Sequence, residues 1–306
     1  MSNSTTIVIL NWNGAEDTLG CLTSLREAGY LDLPVIVVDN GSRDDSPERI
    51  AEAFPKVELL ALEKNRGFAG GCNAGLELAL ARGAAWICLL NNDTAVEPGF
   101  LEILREETKR RNRVGIAAPQ VRYAGRRDTV WSQGITVKAA LGRILTPSCG
   151  KPAAELDLET REYPAVSGAA LLLSRRCLET VGGFDPDYFL CYEDVDICLR
   201  AREAGFKVLA VPRAVVYHKV SASMGGEGSD AIIYYSTRNQ LLVLRKRLPL
   251  TAIGNWIRGL LVAGYTLLFT LITSRTPLRR GLRTWGKGVL DYWRGRWGPR
   301  REKPER

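Results

Sequence analysis

The sequence places carboxylates and amides where apolar runs stop. In "WICLLNNDT", residues 86–94, an apolar run meets Asn91, Asn92 and Asp93. A carboxylate there could give one oxygen to a hard cation such as Mg2+ or Mn2+ that also takes phosphate oxygens and water. It could equally cap a helix expected near Pro98. "VVDNGS" sets Asp39 before Asn40 and Gly41, suited to hydrogen bonding a base edge or ribose, or to forming a turn. "KNRGFAGGCNAG", residues 64–75, carries glycines that let the backbone approach a ligand and leads into a helix whose amino end could face phosphates. "YEDVD" puts Glu193 and Asp194, with Asp196 close by, at a helix start. The helix dipole favours ionised carboxylates there, which suits a general base or a plain cap. His218, the only histidine, closes "VVYH"; a neutral imidazole is a good metal ligand, and a lone histidine is also a common structural residue.

The elements that must hold these residues alternate. Strand-like "TTIVILNW", "PVIVVDNGS", "VELLAL" and Trp86–Leu90 are separated by helical spacing over Asp17–Ala28 and Gly70–Arg82. β-Branched runs bounded by Gly, Asn and Asp predict an α/β fold with a mostly parallel central sheet buried on both faces by helices. Ligands of such sheets bind beyond the carboxyl ends of the strands, where Asn11, Asp39 and Asp93 all fall. Residues 120–165 are irregular and predict an insertion over the site. "AVSGAALLLS" resumes a strand, "YEDVDICLRAREAGF" predicts a helix, and "KVLAVP" and "AVVYH" predict two short strands.

After Ser221 the character changes. Residues 231–247 predict an amphipathic helix, and Gly259–Thr273 is an uncharged apolar run of 15 residues, shorter than the roughly 20 a membrane span needs. Leu278, Leu282, Trp285, Val289 and Trp293 recur at helical spacing among arginines and a lysine. That pattern fits a helix lying in an anionic membrane surface; a basic helix packed on the body, or a nucleic-acid arm, would share it. Residues 275–306 hold 11 Lys/Arg against 3 Asp/Glu, which accounts for the whole net charge of +8. The expected division is therefore a catalytic domain over 1–220 and a basic, helical, membrane-associating region over 221–306. The seven cysteines are scattered, with no C-x-x-C pair, which predicts a reducing compartment and no structural zinc. The polar start, "MSNS", leads straight into a strand and predicts no signal peptide.

Taken in order, "VVDNGS", "NRGFAGGCNAG", "LLNNDT", "SGAALLLSRRCLETVGGFDPDYFLCYEDVDICLRAREAG" and "VVYH" resemble the inverting family-two glycosyltransferases of GT-A fold. The resemblance spans roughly residues 5–245 and is nearest the rhamnosyltransferase branch of cell-wall and surface-polysaccharide assembly. It implies that Asp39 binds the nucleotide base or ribose, and that Asn11, Asn65, Arg66, Gly67, Asn73, Asn91 and Asn92 serve the nucleotide sugar. It implies that Asp93 and His218 hold Mg2+ or Mn2+, with Asn91 standing where the first Asp of a D-x-D motif is usual. Asp194 is implied as general base, with Glu193 the alternate. The implied donor is a nucleoside-diphosphate sugar, foremost dTDP-L-rhamnose, with UDP-hexose, UDP-N-acetylhexosamine and UDP-galactofuranose as alternatives. The implied acceptor is lipid-linked or a glycan at the cytoplasmic face of the membrane, and no nucleic acid is expected.

Two other enzyme classes fit less well. A nucleotidyltransferase of similar sheet would carry a basic Gly-rich loop after the first strand, where this chain has the acidic "NWNGAED". A nucleotide oxidoreductase would carry G-x-G-x-x-G there. A non-catalytic sugar-nucleotide-binding protein is favoured only by Asn91.

Overall fold

Along "TIVIL" successive side chains alternate between two apolar environments, as a strand covered on both faces requires. The structure, a computed structural model, describes residues 4–220, 228–274 and 276–301. The chain runs β1 (Thr5–Asn11), α1 (Ala15–Glu27), β2 (Val35–Asp39), α2 (Ser46–Ala53), β3 (Glu58–Ala61), α3 (Gly67–Ala81), β4 (Trp86–Asn91), β5 (Thr94–Val96) and α4 (Phe100–Lys109). It continues through β6 (Val114–Tyr123), β7 (Arg126–Ser132), β8 (Thr136–Lys138), β9 (Arg143–Leu145), β10 (Arg161–Glu162), β11 (Ala170–Ser174), α5 (Arg175–Val181), α6 (Glu193–Glu203) and β12 (Lys207–His218). Three long helices follow: α7 (Asp230–Arg247), α8 (Ala252–Thr273) and α9 (Leu278–Trp293).

The main sheet has the order β10-β12-β6-β11-β4-β1-β2-β3. Its first half, β3-β2-β1-β4, is parallel throughout, as the alternation predicts. β11 then enters antiparallel between β4 and β6, so the whole sheet is mixed. Val8, Ile36, Val38 and Leu89 face one core with α3, while Ile7, Ile9, Val37 and Leu90 face the other with Leu22 and Leu104.

Several local readings change. β12 is one strand, not two: its register on β6 slips between Val211 and Val215, beside Pro212, which has no N–H for the ladder. α1 and α3 start earlier than their spacing suggests, so Gly70 and Gly71 lie inside α3. A Cβ at Gly75 would stand 2.5 Å from Val8 Cγ1 and 2.8 Å from Val38 Cγ2. That glycine lets the helix close on the sheet; it is packing, not ligand approach. Central strand β6 and helix α2 have no counterpart in the sequence reading.

The boundary expected at residue 220 is not a break in packing. Leu241, Leu242, Val243 and Leu244 of α7 join the core that holds β1 and β4. In α8, Arg258, Val262, Thr266 and Thr270 recur every fourth residue and are buried. Arg258 donates to the carbonyls of Ala139 and Leu244 and to Asn255 Oδ1. The opposite face exposes apolar side chains, from Ile253 (74%) to Ile272 (73%), with Trp256, Ile257, Leu260 and Leu268 between. α8 is long and apolar enough to cross a membrane by length and composition, yet its polar stripe is docked on the body. α9 packs through Gly281, Thr284 and Gly288, and Trp285 Nε1 donates to Thr266 Oγ1 at 3.0 Å. The apolar stripe expected to face lipid is thus partly turned inward, with Leu282 and Val289 half-buried, and α8 carries the broader apolar surface.

Replacing Gly75 by Val should lower stability by about 1–3 kcal/mol through overpacking against Val8 and Val38, read as a lower urea midpoint; an unchanged midpoint would refute the close-packing role.

Candidate active site

A cleft of about 940 Å³ opens beyond the carboxyl ends of the parallel strands. Strand register sets its floor: Asn11 of β1 pairs with Asp39 of β2, and Leu10 with Asn91 of β4. Asn11 is fully buried, donating to Asp39 Oδ1 at 2.8 Å and accepting from Thr18 Oγ1 at 2.7 Å. Asp39 also takes the Ser42 amide at 3.0 Å and the Ser42 hydroxyl. Neither Asn11 nor Asp39 lines the cleft; they brace the turn beneath it.

Asn40, absent from the sequence expectations, lines it instead. Its Nδ2 donates to Asn65 Oδ1 (3.2 Å) and the Gly67 carbonyl (3.0 Å), and its Oδ1 accepts from the Arg66 amide (2.9 Å). The turn-forming "DNG" therefore ties the "NRG" loop to β2. Asn65 and Gly67 line the cleft; Gly67 has φ +74, and a Cβ there would meet the Phe189 carbonyl oxygen at 2.4 Å. Arg66 is exposed and Asn73 bonds the Phe184 backbone through both ends of its amide. Neither is among the residues that line the cleft.

At the next strand end, β5 pairs antiparallel with β12, Thr94 opposite His218. That pairing brings His218 Nε2 to 2.9 Å from Asp93 Oδ1 and 3.4 Å from the Asn91 amide nitrogen. Trp131 of the insertion meets the imidazole edge-on, ring centres 5.1 Å apart. Asn91 Oδ1 and His218 Nδ1 are buried with no hydrogen-bond partner among the described residues. The orphaned Asn91 Oδ1, with Asp93 and His218 Nε2 close by, fits a hard cation. No group of three His, Cys, Asp or Glu converges among the described residues, so an ion held here would need ligand oxygens as well. Asn92 lines the cleft too, its Nδ2 donating to Thr18 Oγ1 at 3.2 Å.

The third wall is the loop into α6, where Phe189, Cys191 and Tyr192 all have positive φ. Arg238 and Asn239, adjacent in α7 and both 0% exposed, hold this loop by its carbonyls. Arg238 Nη2 donates to Asp187 and Tyr188, each at 3.0 Å. Asn239 Nδ2 reaches Tyr188, Leu190 and Cys191 at 2.6–3.0 Å. Sequence reasoning missed both; the signal was the polar run Ser236–Gln240 between the apolar stretches of the helix.

The loop delivers Glu193 and Asp194 to the cleft. Asp194 accepts the Gly168 amide on Oδ2 and the Val195 amide on Oδ1, both at 2.8 Å. Burial pushes its carboxyl up, and these N–H groups pull against that. Glu193 Oε2 is buried without a partner among the described residues. Burial first, then the neighbouring charges of Asp194 and Asp196, push Glu193 well above the ordinary carboxylate range. Asp196 is structural, fully buried between Arg200, Arg247 and the Tyr188 hydroxyl.

The fold is that of GT-A glycosyltransferases. A Pyrobaculum calidifontis mannosyltransferase solved with GDP-Man and Mn2+ superposes with a TM-score of 0.57 at 18% identity, over 95% of this chain and 82% of that one. GalNAc-T7, solved with UDP, GalNAc and Mn2+, gives 0.59 at 18% identity, over 77% of this chain and 47% of that one. In sequence, the chain is 28% identical over 282 residues to the N-acetylglucosaminyl-diphospho-decaprenol L-rhamnosyltransferase of Mycobacterium tuberculosis, covering 86% of this chain and 90% of the relative. It is 26% identical over 259 residues to the dTDP-rhamnosyl transferase RfbF of Shigella flexneri, covering 80% and 81%. The family described as "Glycosyl transferase family 2" matches residues 6–182, more than half of the 306 residues, and the chain is a glycosyltransferase belonging to that family.

Proposed function

We propose that this enzyme transfers a sugar from a nucleoside-diphosphate donor to a lipid-linked acceptor by a single inverting displacement, with Asp194 as general base. The observation that carries the proposal is the meeting in one cleft of Asp194, held by two backbone amides, with the Asp93–His218 pair. The attacking hydroxyl of the acceptor gives its proton to Asp194. The new bond forms at the anomeric carbon as the bond to the leaving diphosphate breaks on the opposite face. No covalent sugar–enzyme intermediate is required, unlike the retaining route with two carboxylates. Asp93, His218 and the Asn91 amide oxygen would hold Mg2+ or Mn2+, which when bound offsets the charge growing on the leaving diphosphate. Asn65, Gly67 and Asn40 lie along the nucleotide. Names of relatives favour L-rhamnose from dTDP-rhamnose and a polyprenyl-diphosphate acceptor.

Glu193 is the weaker choice of base. Burial and the charge of Asp194 push its pKa well up, whereas the burial that raises Asp194 is opposed by backbone amide donors, so Asp194 gives up its proton more readily. We place the enzyme at the cytoplasmic membrane face, with the exposed side of α8 lying in the lipid surface and Arg279 and Arg283 of α9 beside anionic headgroups.

Asp194→Asn should cut transfer from radiolabelled donor by about 10²–10⁴-fold while nucleotide binding survives; normal turnover would reject this base. Glu193→Gln should keep transfer. The same variant tests the burial of that carboxyl. A raised folded-state pKa makes stability fall as pH rises above the ordinary value of 4.5. Glu193→Gln should therefore match the parent near that pH and exceed it in melting temperature at neutral pH. Thermal stabilisation by dTDP or UDP should need Mn2+ and be lost in Asp93→Ala; full stabilisation in excess chelator would contradict a metal-dependent site. Finally, Ile257→Glu with Leu260→Glu, both exposed, should abolish sedimentation with anionic vesicles and leave the fold intact; unchanged sedimentation would dismiss α8 as the membrane face.

A further inference from the structure

The fixed positive charge of the cleft comes from α9 and the segment after it. Among the described residues lining it, only Arg280 and Arg300 are always cationic, against the carboxyls of Asp93, Glu193, Asp194 and Asp230. Arg300 is set into the wall. Its backbone amide donates to the Tyr235 hydroxyl at 2.8 Å, and its guanidinium lies 5.3 Å from the Tyr234 ring centre. Two residues earlier, Gly298 is clasped from both sides: its carbonyl accepts from Arg238 Nη1 at 2.7 Å, and its amide donates to Asp187 at 2.8 Å. Arg300 Nε is buried and has no hydrogen-bond partner among the described residues. A buried guanidinium N–H without an acceptor is costly, and an oxyanion in the cleft would satisfy it with a charge-assisted bond.

Arg280 stands in the first turn of α9 and bonds Asp230 Oδ2 through Nε alone, at 2.5 Å. It is 69% exposed, which leaves its other nitrogens for a ligand. It lies two residues after exposed Leu278, just beyond the end of the apolar face of α8. A lipid-linked diphosphate keeps its phosphates at the boundary where its tail enters the membrane, which is the level of Arg280 if α8 lies in the lipid. The donor's diphosphate already has the Asp93, His218 and Asn91 corner.

We propose that Arg280 and Arg300 form the subsite for the diphosphate of a lipid-linked acceptor, Arg300 supplying an unspent buried donor and Arg280 meeting the phosphates at the membrane boundary. The proposal rests on the transferase reading above and names its acceptor group. Asp230 would orient Arg280 and temper the local charge, so that the subsite favours a multiply charged diphosphate over a single carboxylate.

The test uses the full chain and farnesyl diphosphate as probe, with farnesol as control and dTDP or UDP with Mn2+ as the donor-side reference, each followed by calorimetry. Arg280→Gln with Arg300→Gln should weaken farnesyl diphosphate about tenfold or more, the effect of losing about 1.4 kcal/mol, and leave nucleotide binding unchanged. Arg280→Lys with Arg300→Lys, which keeps both charges and the cation over Tyr234, should recover part of the loss and shows whether folding was harmed. Equal farnesyl diphosphate binding in parent and Gln variant overturns the proposal. So does an equal loss of nucleotide binding, which would assign the arginines to the donor. A parent chain that binds nucleotide but not farnesyl diphosphate sinks this inference alone; one that binds no nucleotide with Mn2+ sinks the donor reading beneath it.

Discussion

A turn with three residues in the left-handed region must be held open-mouthed beside Glu193 and Asp194, and the side chains that hold it come from outside the family-matched segment. Each such residue costs about 1–3 kcal/mol, and the carbonyls of Asp187, Tyr188, Leu190 and Cys191 turn inward, away from water. Arg238 and Asn239 meet those carbonyls with donated hydrogen bonds. Arg238 is a fully buried cation with no carboxylate among its hydrogen-bond partners within the described residues. Carbonyl dipoles and the faces of Tyr234 and Tyr235, 5.4 and 5.1 Å from its guanidinium carbon, take that place. Removing either side chain would leave buried carbonyls unpaired as well as strain unopposed. The position of Glu193 and Asp194 thus depends on α7, which makes α7 part of the catalytic body although the sequence changes character just before it.

The same dependence extends outward. Gln240 of α7 donates to the Gly142 carbonyl, and Arg258 of α8 to that of Ala139. The insertion that supplies Trp131, Ile144 and Thr146 to the cleft is therefore pinned by the helices that carry the apolar outer face. Gly298 closes the circuit from the far end of α9 to the turn before α6. One consequence is mechanical. A displacement of α8 or α9 would reach both walls of the cleft through these hydrogen bonds.

What could be read from the sequence follows from how local its causes are. Apolar runs that end in Asn or Asp gave β1, β2 and β4 with their strand-end residues, because register and burial of a parallel sheet act residue by residue. Asp93 and His218 meet through β5 and β12, and only the order of motifs hinted at that pairing. β6 escaped because Gly115, Ala117, Ala118 and Pro119 carry little strand propensity; its position between β11 and β12 is imposed by neighbours. Asn40 escaped because a turn residue and a loop brace share one spelling. The places of Arg66 and Asn73, outside the cleft lining, were illegible for the converse reason: a Gly-rich stretch specifies close approach but not what approaches. Here the partner of Gly75 is the sheet, and that of Gly67 is Phe189.

The charge layout of the cleft distinguishes its corners more clearly than its shape does. Acidic groups concentrate at Asp93 and at Glu193–Asp194, so on the proposed reading an anionic donor would enter the first corner with a cation to mediate. The base proposed beside it would need to ionise yet stay unpaired. Two amide donors oppose the burial of Asp194 in that direction, whereas a Lys or Arg partner would lower its basicity by holding the carboxylate too firmly. Glu193, one residue away in the same burial, lacks such donors beyond its own backbone amide, so burial and the charges of Asp194 and Asp196 resist its ionisation more strongly than burial resists that of Asp194. The two adjacent carboxyls are thus set apart by their surroundings: Asp194 has two backbone donors to carry its charge, and Glu193 Oε2 has no partner among the described residues.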